Sequence, residues 1–221
     1  MDDDATIDGI KTNELSSSSS TPVPELSSHI LQCHAGRVYT LATHRSSDGM
    51  LLIASGDNKA FLSKLSSSHN PESIELTHVF IDTVSTVEFA SNGSLLAVGC
   101  YDGSILVYKT TPTLSLVTKL DGPTDVELVR FHPSNTVLLA GSSTNGTVWM
   151  YHIDTQWVLQ MFVGHESGCG GDSCIADGGF NTYEKWVVTT GSYDTCRVWN
   201  AKNGAGKKQA FLHTCIRCSG E

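Results

Sequence analysis

The chain repeats one pattern four times, and the length of the repeat limits the folds available to it. Each unit has an apolar run, a small-residue stretch with glycine, an Asp or Asn turn, and a second alternating run. The units read IASGDNKAFLSKL, AVGCYDGSILVYKT, LAGSSTNGTVWMYHI and VTTGSYDTCRVWNA. Their corresponding end positions are Ser63, Tyr108, Tyr151 and Trp199, which are 45, 43 and 48 residues apart. Repeats of this length are typical of propeller blades.

Further strand-like runs precede each unit and bring the total to four strands per repeat. RVYTLATH, TVSTVEFA and DVELVRFH lie directly upstream of the first three units, and GCGGDSCI lies upstream of the fourth. A fourth run, such as HILQC or VLQMFVG, precedes each of these. Since propeller blades are four-stranded sheets, we predict an all-β partial ring of about four blades over residues 29–204. The predicted blades are about 29–66, 74–109, 114–154 and 157–201.

The two ends of the chain differ from the repeats. Residues 1–28 hold five consecutive serines and six acidic residues against one lysine. Such a segment buries too little apolar surface to offset the entropy of the chain, so we predict a disordered acidic, serine-rich tail. Residues 205–221 depart from the repeat pattern and are expected to supply at most one strand of an incomplete blade.

The charge balance restricts the partners of the chain. It has 14 Lys and Arg against 23 Asp and Glu, a net charge of -9, which disfavours nucleic acid and anionic membranes and favours a basic protein partner. No apolar run has the length of a membrane span, and the acidic start lacks the features of a secretory signal. We therefore expect the chain in the cytoplasm, with the nucleus as a second location.

The fourth unit carries the most complete set of polar residues. It contains Gly164, His165, Thr190, Asp194 and Trp199. This set resembles the WD-repeat family, whose pattern is Gly-His, a Ser or Thr in a strand, a turn Asp and a terminal Trp-Asp. The resemblance implies a β-propeller in which the turn Asp, the His, the hydroxyl and the Trp form a buried hydrogen-bonded network. Such a network must be fully satisfied to be tolerated, so these residues are expected to be structural.

The other units carry the pattern in part. The retained positions are His34, Ser55 and Asp57 in the first unit, Asp102 in the second and Asn145 in the third. Ser63 stands in the Trp position of the first unit, while Phe80 and Gly122 stand where the second and third units would have their His. We expect incomplete networks in these blades and a greater reliance on apolar packing.

Two segments carry a narrower resemblance. GDNKAFLSKL (56–65) and DVELVRFHPSNTVLLAGSSTNGTVWMYHI (125–153) resemble the first and third repeats of the family of angio-associated migratory cell protein and its fungal counterpart. The likeness implies a non-catalytic protein-binding scaffold. Most specifically, it implies an assembly chaperone for a basic protein of the large ribosomal subunit. A signalling scaffold in cell migration and angiogenesis is the alternative function in the same family.

The number of repeats is small for a closed ring. The chain has room for about four blades, whereas rings commonly have up to eight. A partial ring exposes strand edges, which natural proteins avoid. We therefore expect the chain to be the N-terminal part of a longer propeller, with assembly against another half ring as the alternative.

A zinc site is the first competing interpretation. Cys215 and Cys218 form a C-x2-C pair near His213, and Cys169 and Cys174 lie upstream near His165, so enough soft ligands for zinc are present. The gap of five residues between the upstream cysteines places them on opposite faces of a single strand. The spacing therefore disfavours a metal site.

Catalysis is the second competing interpretation. His165, Asp194 and Ser192 supply the residue types of a hydrolytic triad, but the chain has no Gly-x-Ser-x-Gly elbow, and the repeat pattern assigns the His and the Asp to a structural network. The glycines of GCGGDSC lack the Gly-Lys-Ser/Thr ending of a phosphate loop. We expect no catalysis and no cofactor.

A propeller presents its loops and the starts of its inner strands to a ligand. Acidic residues at these positions are candidates for contacting the Lys and Arg of a basic partner, and an arginine and a tyrosine that open the first inner strand could add stacking. The candidate partner-binding residues are Arg37, Tyr39, Asp82, Glu88, Asp125, Glu127, Glu166 and Asp172.

Overall fold

Within the residues that the structure describes, sixteen strands form four separate antiparallel sheets of four strands each. The structure, a computed structural model, describes residues 34–46, 49–66, 69–76, 78, 80–165, 175–181, 185–191, 195–202, 204 and 206–210. The first sheet contains β1 (Val38–Ser46), β2 (Gly49–Gly56), β3 (Lys59–Ser66) and β4 (His69–Glu75), and the second contains β5 (Val84–Phe89), β6 (Leu95–Cys100), β7 (Ser104–Lys109) and β8 (Ser115–Asp121). The third contains β9 (Val126–Phe131), β10 (Val137–Ser142), β11 (Thr147–His152) and β12 (Val158–Val163), and the fourth contains β13 (Ile175–Phe180), β14 (Trp186–Gly191), β15 (Thr195–Asn200) and β16 (Gly206–Ala210).

Each sheet is a simple meander in which every strand pairs with the next one along the chain. The first strands of successive sheets contact one another, β1 with β5, β5 with β9 and β9 with β13. These four strands are therefore the inner strands, and β4, β8, β12 and β16 are the outer strands of the blades. This arrangement is a partial β-propeller, as the sequence predicts.

The turns between strands follow from residues that tolerate a left-handed backbone. Asp57 and Asn58 have φ of 35° and 62° in the hairpin between β2 and β3, and Gly146 has φ of 62° after Asn145 in the corresponding hairpin of the third sheet. Asn, Asp and Gly adopt these angles at low cost. The Asp-Asn and Asn-Gly pairs of the sequence thus set the registers of the strands that they join.

Apolar side chains fill the spaces between adjacent sheets. Ile53 and Leu96 are buried between the first two sheets, Val107 and Leu138 between the second and third, and Val187 packs in a cluster with Leu128 and Leu139 between the third and fourth. The middle strands β6, β7 and β10 are covered on both faces, which is why runs such as SILVYK are almost continuously buried. The blades are therefore held together chiefly by burial of apolar surface.

The boundaries of the blades differ from the predicted ones. The sequence analysis began the third and fourth units with strands that the structure places at the outer edge of the preceding sheet, β8 for the predicted blade 114–154 and β12 for the predicted blade 157–201. The sequence repeat and the sheet are thus offset by one strand. β16 lies in the segment 205–221, which was expected to be divergent, and completes the fourth sheet. The predicted tail, residues 1–28, lies outside the described residues.

The inner strand of the fourth sheet also differs from its predicted position. The sequence analysis assigned it to GCGGDSCI, whereas β13 begins at Ile175 and continues through IADGGF. Residues 166–174 lie outside the described residues. The shift brings Asp177 onto an inner strand, next to the inner strand of the third sheet.

Candidate functional site

A buried polar network connects the fourth blade to the loop that precedes it. Nε2 of His165 lies 2.7 Å from Oγ1 of Thr189, and Nε1 of Trp199 donates to the same oxygen at 2.8 Å. The side chain of Thr189 is fully buried. The sequence analysis named Thr190 as the hydroxyl of this network, and this assignment is wrong. Because side chains alternate along a strand, Thr190 points away from His165, and its hydroxyl donates to the carbonyl of Asp177 at 3.3 Å.

Burial keeps His165 neutral at physiological pH. Burial, with a contribution from the nearby cation of Arg197, lowers the pKa of His165 to about 4. A neutral imidazole accepts at one ring nitrogen and donates at the other, so Nε2 can accept the proton of the Thr189 hydroxyl while that oxygen accepts from Trp199. The predicted turn residue of the network, Asp194, lies outside the described residues.

The first blade has a corresponding contact between its loop and its turn. Nδ1 of His34 lies 2.7 Å from Oδ1 of Asp57, whose Oδ2 also accepts from the backbone N–H of Ala35 and of Gly36. The hydrogen bond to His34 holds the pKa of Asp57 below its usual value. The side chain of Ser55 lies outside the described residues. Asp57 therefore fastens the chain segment that enters β1 to the hairpin between β2 and β3.

Ser63 stands in the Trp position of this first blade. Its hydroxyl is buried and lies 2.7 Å from the hydroxyl of Ser73 on the outer strand β4. The side chain at the Trp position of the first blade thus joins β3 to β4, whereas Trp199 of the fourth blade donates to Thr189 on β14.

In the second and third blades the turn residues are engaged locally. Asp102 accepts from the backbone N–H of Ser104 at 2.8 Å, and Asn145 accepts from the backbone N–H of Thr147 at 3.1 Å. Each of these side chains thus bonds the residue two positions later, as in an Asx turn. Neither turn residue connects its blade to the preceding loop through these bonds.

Phe80 and Gly122 stand at the positions where the second and third blades lack the histidine of the repeat. Phe80 is buried in the apolar cluster between the first two sheets. Gly122 has no room for a side chain, because an added Cβ would lie 2.8 Å from both the Gly103 carbonyl oxygen and Cδ1 of Ile105. Tyr108 and Tyr151 occupy the Trp positions, and the Tyr151 hydroxyl donates to a backbone carbonyl at 2.7 Å. These two blades therefore depend on packing.

The inner strands line a groove of about 670 Å³. Charged side chains from three of the four inner strands reach it, with three carboxylates against one guanidinium. Leu41, Val87 and Leu128 are among its apolar lining residues. The charged and aromatic lining residues are Tyr39 on β1, Glu88 on β5, Glu127 and Arg130 on β9, and Asp177 on β13. Tyr39, Glu88 and Glu127, three of the predicted partner-binding residues, thus come together in this groove.

A chain of polar contacts crosses the groove from the second blade to the fourth. Oε2 of Glu88 accepts from the backbone N–H of Phe131 at 2.6 Å, and Oε1 lies 3.8 Å from Nε of Arg130. Nη2 of Arg130 donates to Oδ1 of Asp177 at 2.9 Å. Burial raises the pKa of Glu88 to about 7, although Phe131 and Arg130 favour its anion. Glu88 is therefore part of an internal brace as well as of the groove wall.

Three further predicted residues lie just before inner strands begin and are not among the residues that line the groove. Arg37 precedes β1, Asp82 lies two residues before β5, and Asp125 precedes β9. Tyr101 joins two of these loops, since its N–H donates to the Thr83 carbonyl and its carbonyl accepts from the Asp125 N–H. Asp125 has a left-handed backbone with φ of 51°. The last two predicted acids, Glu166 and Asp172, lie outside the described residues.

The sequence analysis did not identify Arg130 and Asp177. Glu88 and Arg130 both occupy the fifth position of their inner strands. Aligning the inner strands would therefore have shown an acid and a base at equivalent places in adjacent blades. Asp177 was missed because the inner strand of the fourth blade was assigned too far upstream.

The cysteines of the proposed zinc site lie outside the described residues, as do Ser192 and Asp194 of the proposed triad. Within the residues that the structure describes, no cluster of three or more His, Cys, Asp or Glu side chains could hold a metal ion. The same residues contain no helix with the length and apolarity needed to cross a membrane.

Comparison with known proteins gives relatives of two kinds. The ribosome assembly protein SQT1 of Saccharomyces cerevisiae is 26% identical over 180 residues, which cover 77% of this chain and 41% of the relative. Echinoderm microtubule-associated protein-like 2 is 29% identical over 201 residues in Homo sapiens and 30% identical over 204 residues in Rattus norvegicus. In both species the match covers 85% of this chain and 29% of the relative. The chain thus spans less than half the length of these relatives.

The repeat itself is matched directly. The family described as WD domain, G-beta repeat matches residues 74–109, 114–152 and 156–200, which together make up more than half of the chain. The narrower likeness to the family of angio-associated migratory cell protein stays a prediction. The four-stranded blades and the buried contacts of His165, Thr189 and Trp199 agree with these matches. The chain therefore belongs to the WD-repeat family of protein-interaction scaffolds.

Proposed function

We propose that this scaffold is an assembly chaperone that shields a basic segment of a ribosomal protein. The acidic groove is the observation that carries the proposal, since Glu88, Glu127 and Asp177 outnumber Arg130 among the charged residues that line it. The net charge of -9 has the same sign. Opposite charges speed the encounter of partners and disfavour anionic competitors.

The similarity to a ribosome assembly protein supports the same proposal. A basic ribosomal segment carries many Lys and Arg side chains, which would otherwise bind nucleic acid non-specifically. A groove with excess carboxylates offers such a segment a competing surface until it is delivered. This role requires no chemistry on the partner. The location proposed with it is the cytoplasm, with the nucleus as a second location.

Charge reversal at Glu127 tests the role of the groove. Glu127 is exposed on β9 and lines the groove, whereas Asp154 is exposed in the turn before β12 and does not line it. E127K and D154K change the net charge equally. We expect E127K alone to weaken the binding of a Lys- and Arg-rich ribosomal peptide several-fold, because surface charge pairs are worth up to about 1 kcal/mol each and reversal adds repulsion.

Isothermal titration at low and high salt measures this effect, and circular dichroism checks the fold of both variants. Binding of the wild-type chain should weaken with salt because the groove is open to solvent. Equal affinity of E127K and D154K would contradict the assignment of the groove. Asp125 is better replaced by Asn than by Lys, because its backbone is left-handed and Asp and Asn adopt this conformation more readily than Lys does.

Capture from cells tests the partner. The wild-type chain should retain a newly made basic ribosomal protein, and E127K should retain less of it than D154K does. Absence of ribosomal proteins from the captured set would contradict the chaperone role while leaving the scaffold intact. Imaging of a fluorescently labelled chain measures its distribution between cytoplasm and nucleus.

Microtubule association is a second candidate function, favoured by the two relatives whose matches cover 85% of this chain. Co-sedimentation with polymerised tubulin tests it directly. Two results together would favour this function over the chaperone role. The wild-type chain and E127K would pellet with microtubules to the same extent, and the wild-type chain would not bind the basic peptide.

A further inference from the structure

One basic residue stands among the carboxylates of the groove. Arg130 lies on β9, and its Nη2 donates to Oδ1 of Asp177 on β13 at 2.9 Å. Both side chains line the groove, and their exposed fractions are 35% and 64%. Among the described residues that line it, Arg130 is the one cation. The chain thus places a cation of its own where a basic partner would meet Asp177.

The carboxylate of Asp177 is only partly used by this ion pair. Its Oδ1 accepts from Arg130 and from the backbone N–H of Gly178 at 2.8 Å, whereas its Oδ2 accepts no hydrogen bond from the described residues. A guanidinium can bond both oxygens of a carboxylate through two parallel N–H groups, and Arg130 makes only one of these bonds. Because Asp177 is largely exposed, a guanidinium that arrives from solvent can make both.

Arg130 has other contacts that do not depend on Asp177. Its Nη1 donates to the carbonyl of Val129 at 2.9 Å, and its Nε lies 3.8 Å from Oε1 of Glu88. Glu88 is itself held by the backbone N–H of Phe131 at 2.6 Å. Release of Asp177 therefore leaves the guanidinium with partners. The release also costs little, because ion pairs that are open to solvent contribute little to stability.

We propose that Arg130 is a built-in competitor of the basic partner, which holds Asp177 until an arginine of the partner takes its place. The inference rests on the function proposed for the groove. A contact that closes a binding site for part of the time lowers the apparent affinity by that fraction. A lysine is a point charge that cannot form the paired bonds of a guanidinium, so the competition makes the groove select arginine over lysine.

Removal of the competitor should strengthen binding. R130M and K109M each remove one positive charge, and Lys109 is exposed at the end of β7 and does not line the groove. Isothermal titration with an oligo-arginine peptide should show R130M binding up to about five-fold more tightly than the wild-type chain, with K109M close to the wild type. The gain should be smaller for an oligo-lysine peptide of equal length and at high salt. Circular dichroism checks the fold of both variants.

Replacement of Asp177 separates competition from a general effect of charge. D177N should bind the oligo-arginine peptide more weakly than D154N, which removes an equal charge outside the groove. The gain produced by R130M should disappear in the double variant R130M/D177N, because that gain consists of access to Asp177. An equal gain in the presence and absence of Asp177 would show a general charge effect and would overturn the proposal.

The remaining outcomes distinguish this proposal from the function of the groove. Binding by the wild-type chain without any gain in R130M would overturn the role of Arg130 and leave the groove as the binding site. No binding by either chain would contradict both. If R130M does not fold, equal affinities of D177N and D154N for the peptide would overturn the proposal on their own.

Discussion

Replacing Thr189 by valine tests the buried network of the fourth blade. Valine has nearly the shape of threonine but lacks the oxygen that lies 2.7 Å from Nε2 of His165 and accepts from Nε1 of Trp199 at 2.8 Å. The side chain is fully buried and Trp199 is only 5% exposed, so water cannot readily replace either contact. T189V thus leaves two polar groups without this partner inside the blade.

The expected cost follows from these contacts. A buried polar group that loses its hydrogen-bond partner costs about 1 to 3 kcal/mol. Because the two groups share one oxygen, the effects are not independent, and we expect a total loss of about 2 to 5 kcal/mol in the free energy of unfolding. T189S keeps the hydroxyl and removes one methyl group, which costs about 1 kcal/mol.

The matched control is the neighbouring threonine. T190V removes a single hydrogen bond of 3.3 Å from a half-buried side chain, so its cost should stay within about 1 kcal/mol. Urea unfolding followed by tryptophan fluorescence and by circular dichroism measures all three variants, and coincident transitions justify a two-state analysis. A larger loss for T190V than for T189V, or no rescue by T189S, would refute the network as described.

Three further predictions concern titration and packing. The pKa of His165 is lowered to about 4, so the unfolded state binds more protons than the folded state between pH 6.5 and pH 4. The free energy of unfolding should therefore fall by about 3 kcal/mol as the pH drops over this range. H165Q should remove most of this pH dependence. The pKa of Glu88 is raised to about 7, so ionisation of its carboxyl group destabilises the fold as the pH rises. E88Q should have the same free energy of unfolding as the wild-type chain near pH 4 and a value up to about 3 kcal/mol higher at pH 8. G122A should cost about 1 to 3 kcal/mol because its Cβ meets the Gly103 carbonyl, whereas G179A, whose Cβ meets nothing within 4 Å, should be near neutral. Urea titrations at each pH measure the first two effects, and thermal unfolding measures the third. Differences in the free energy of unfolding between variant and wild type that do not change with pH would contradict the first two predictions. Equal costs of G122A and G179A would contradict the third.

The repeat predicts most of the fold because blade formation is a local property. The turn pairs, the alternation of apolar residues and the period of the units all act within about 45 residues of one another, and the structure has the expected strands in the second and third sheets. The fourth inner strand was misplaced because IADGGF contains two glycines and an aspartate, which are uncommon in strands. Its position is set by packing against the third blade, which no local pattern reports.

The candidate site was harder to predict than the fold. The choice between Thr189 and Thr190 depends on which face of β14 meets His165, and two adjacent threonines carry no information about that face. The brace from Glu88 through Arg130 to Asp177 joins three blades, so a comparison within single repeats could not show it. Contacts between blades depend on how the sheets are stacked, which follows from the whole ring segment.

The offset between repeat and sheet makes each repeat a link between two blades. Excision of residues 114–152, one whole repeat, would remove β8 to β11 and join β7 to β12, which is the counterpart of β8 in the next sheet. Excision of residues 126–163 would instead remove one complete sheet and leave its neighbours fully paired. Shortening of such a chain by one whole module therefore leaves four strands for each remaining sheet, and the position of the cuts decides whether β8 or β12 completes the second sheet.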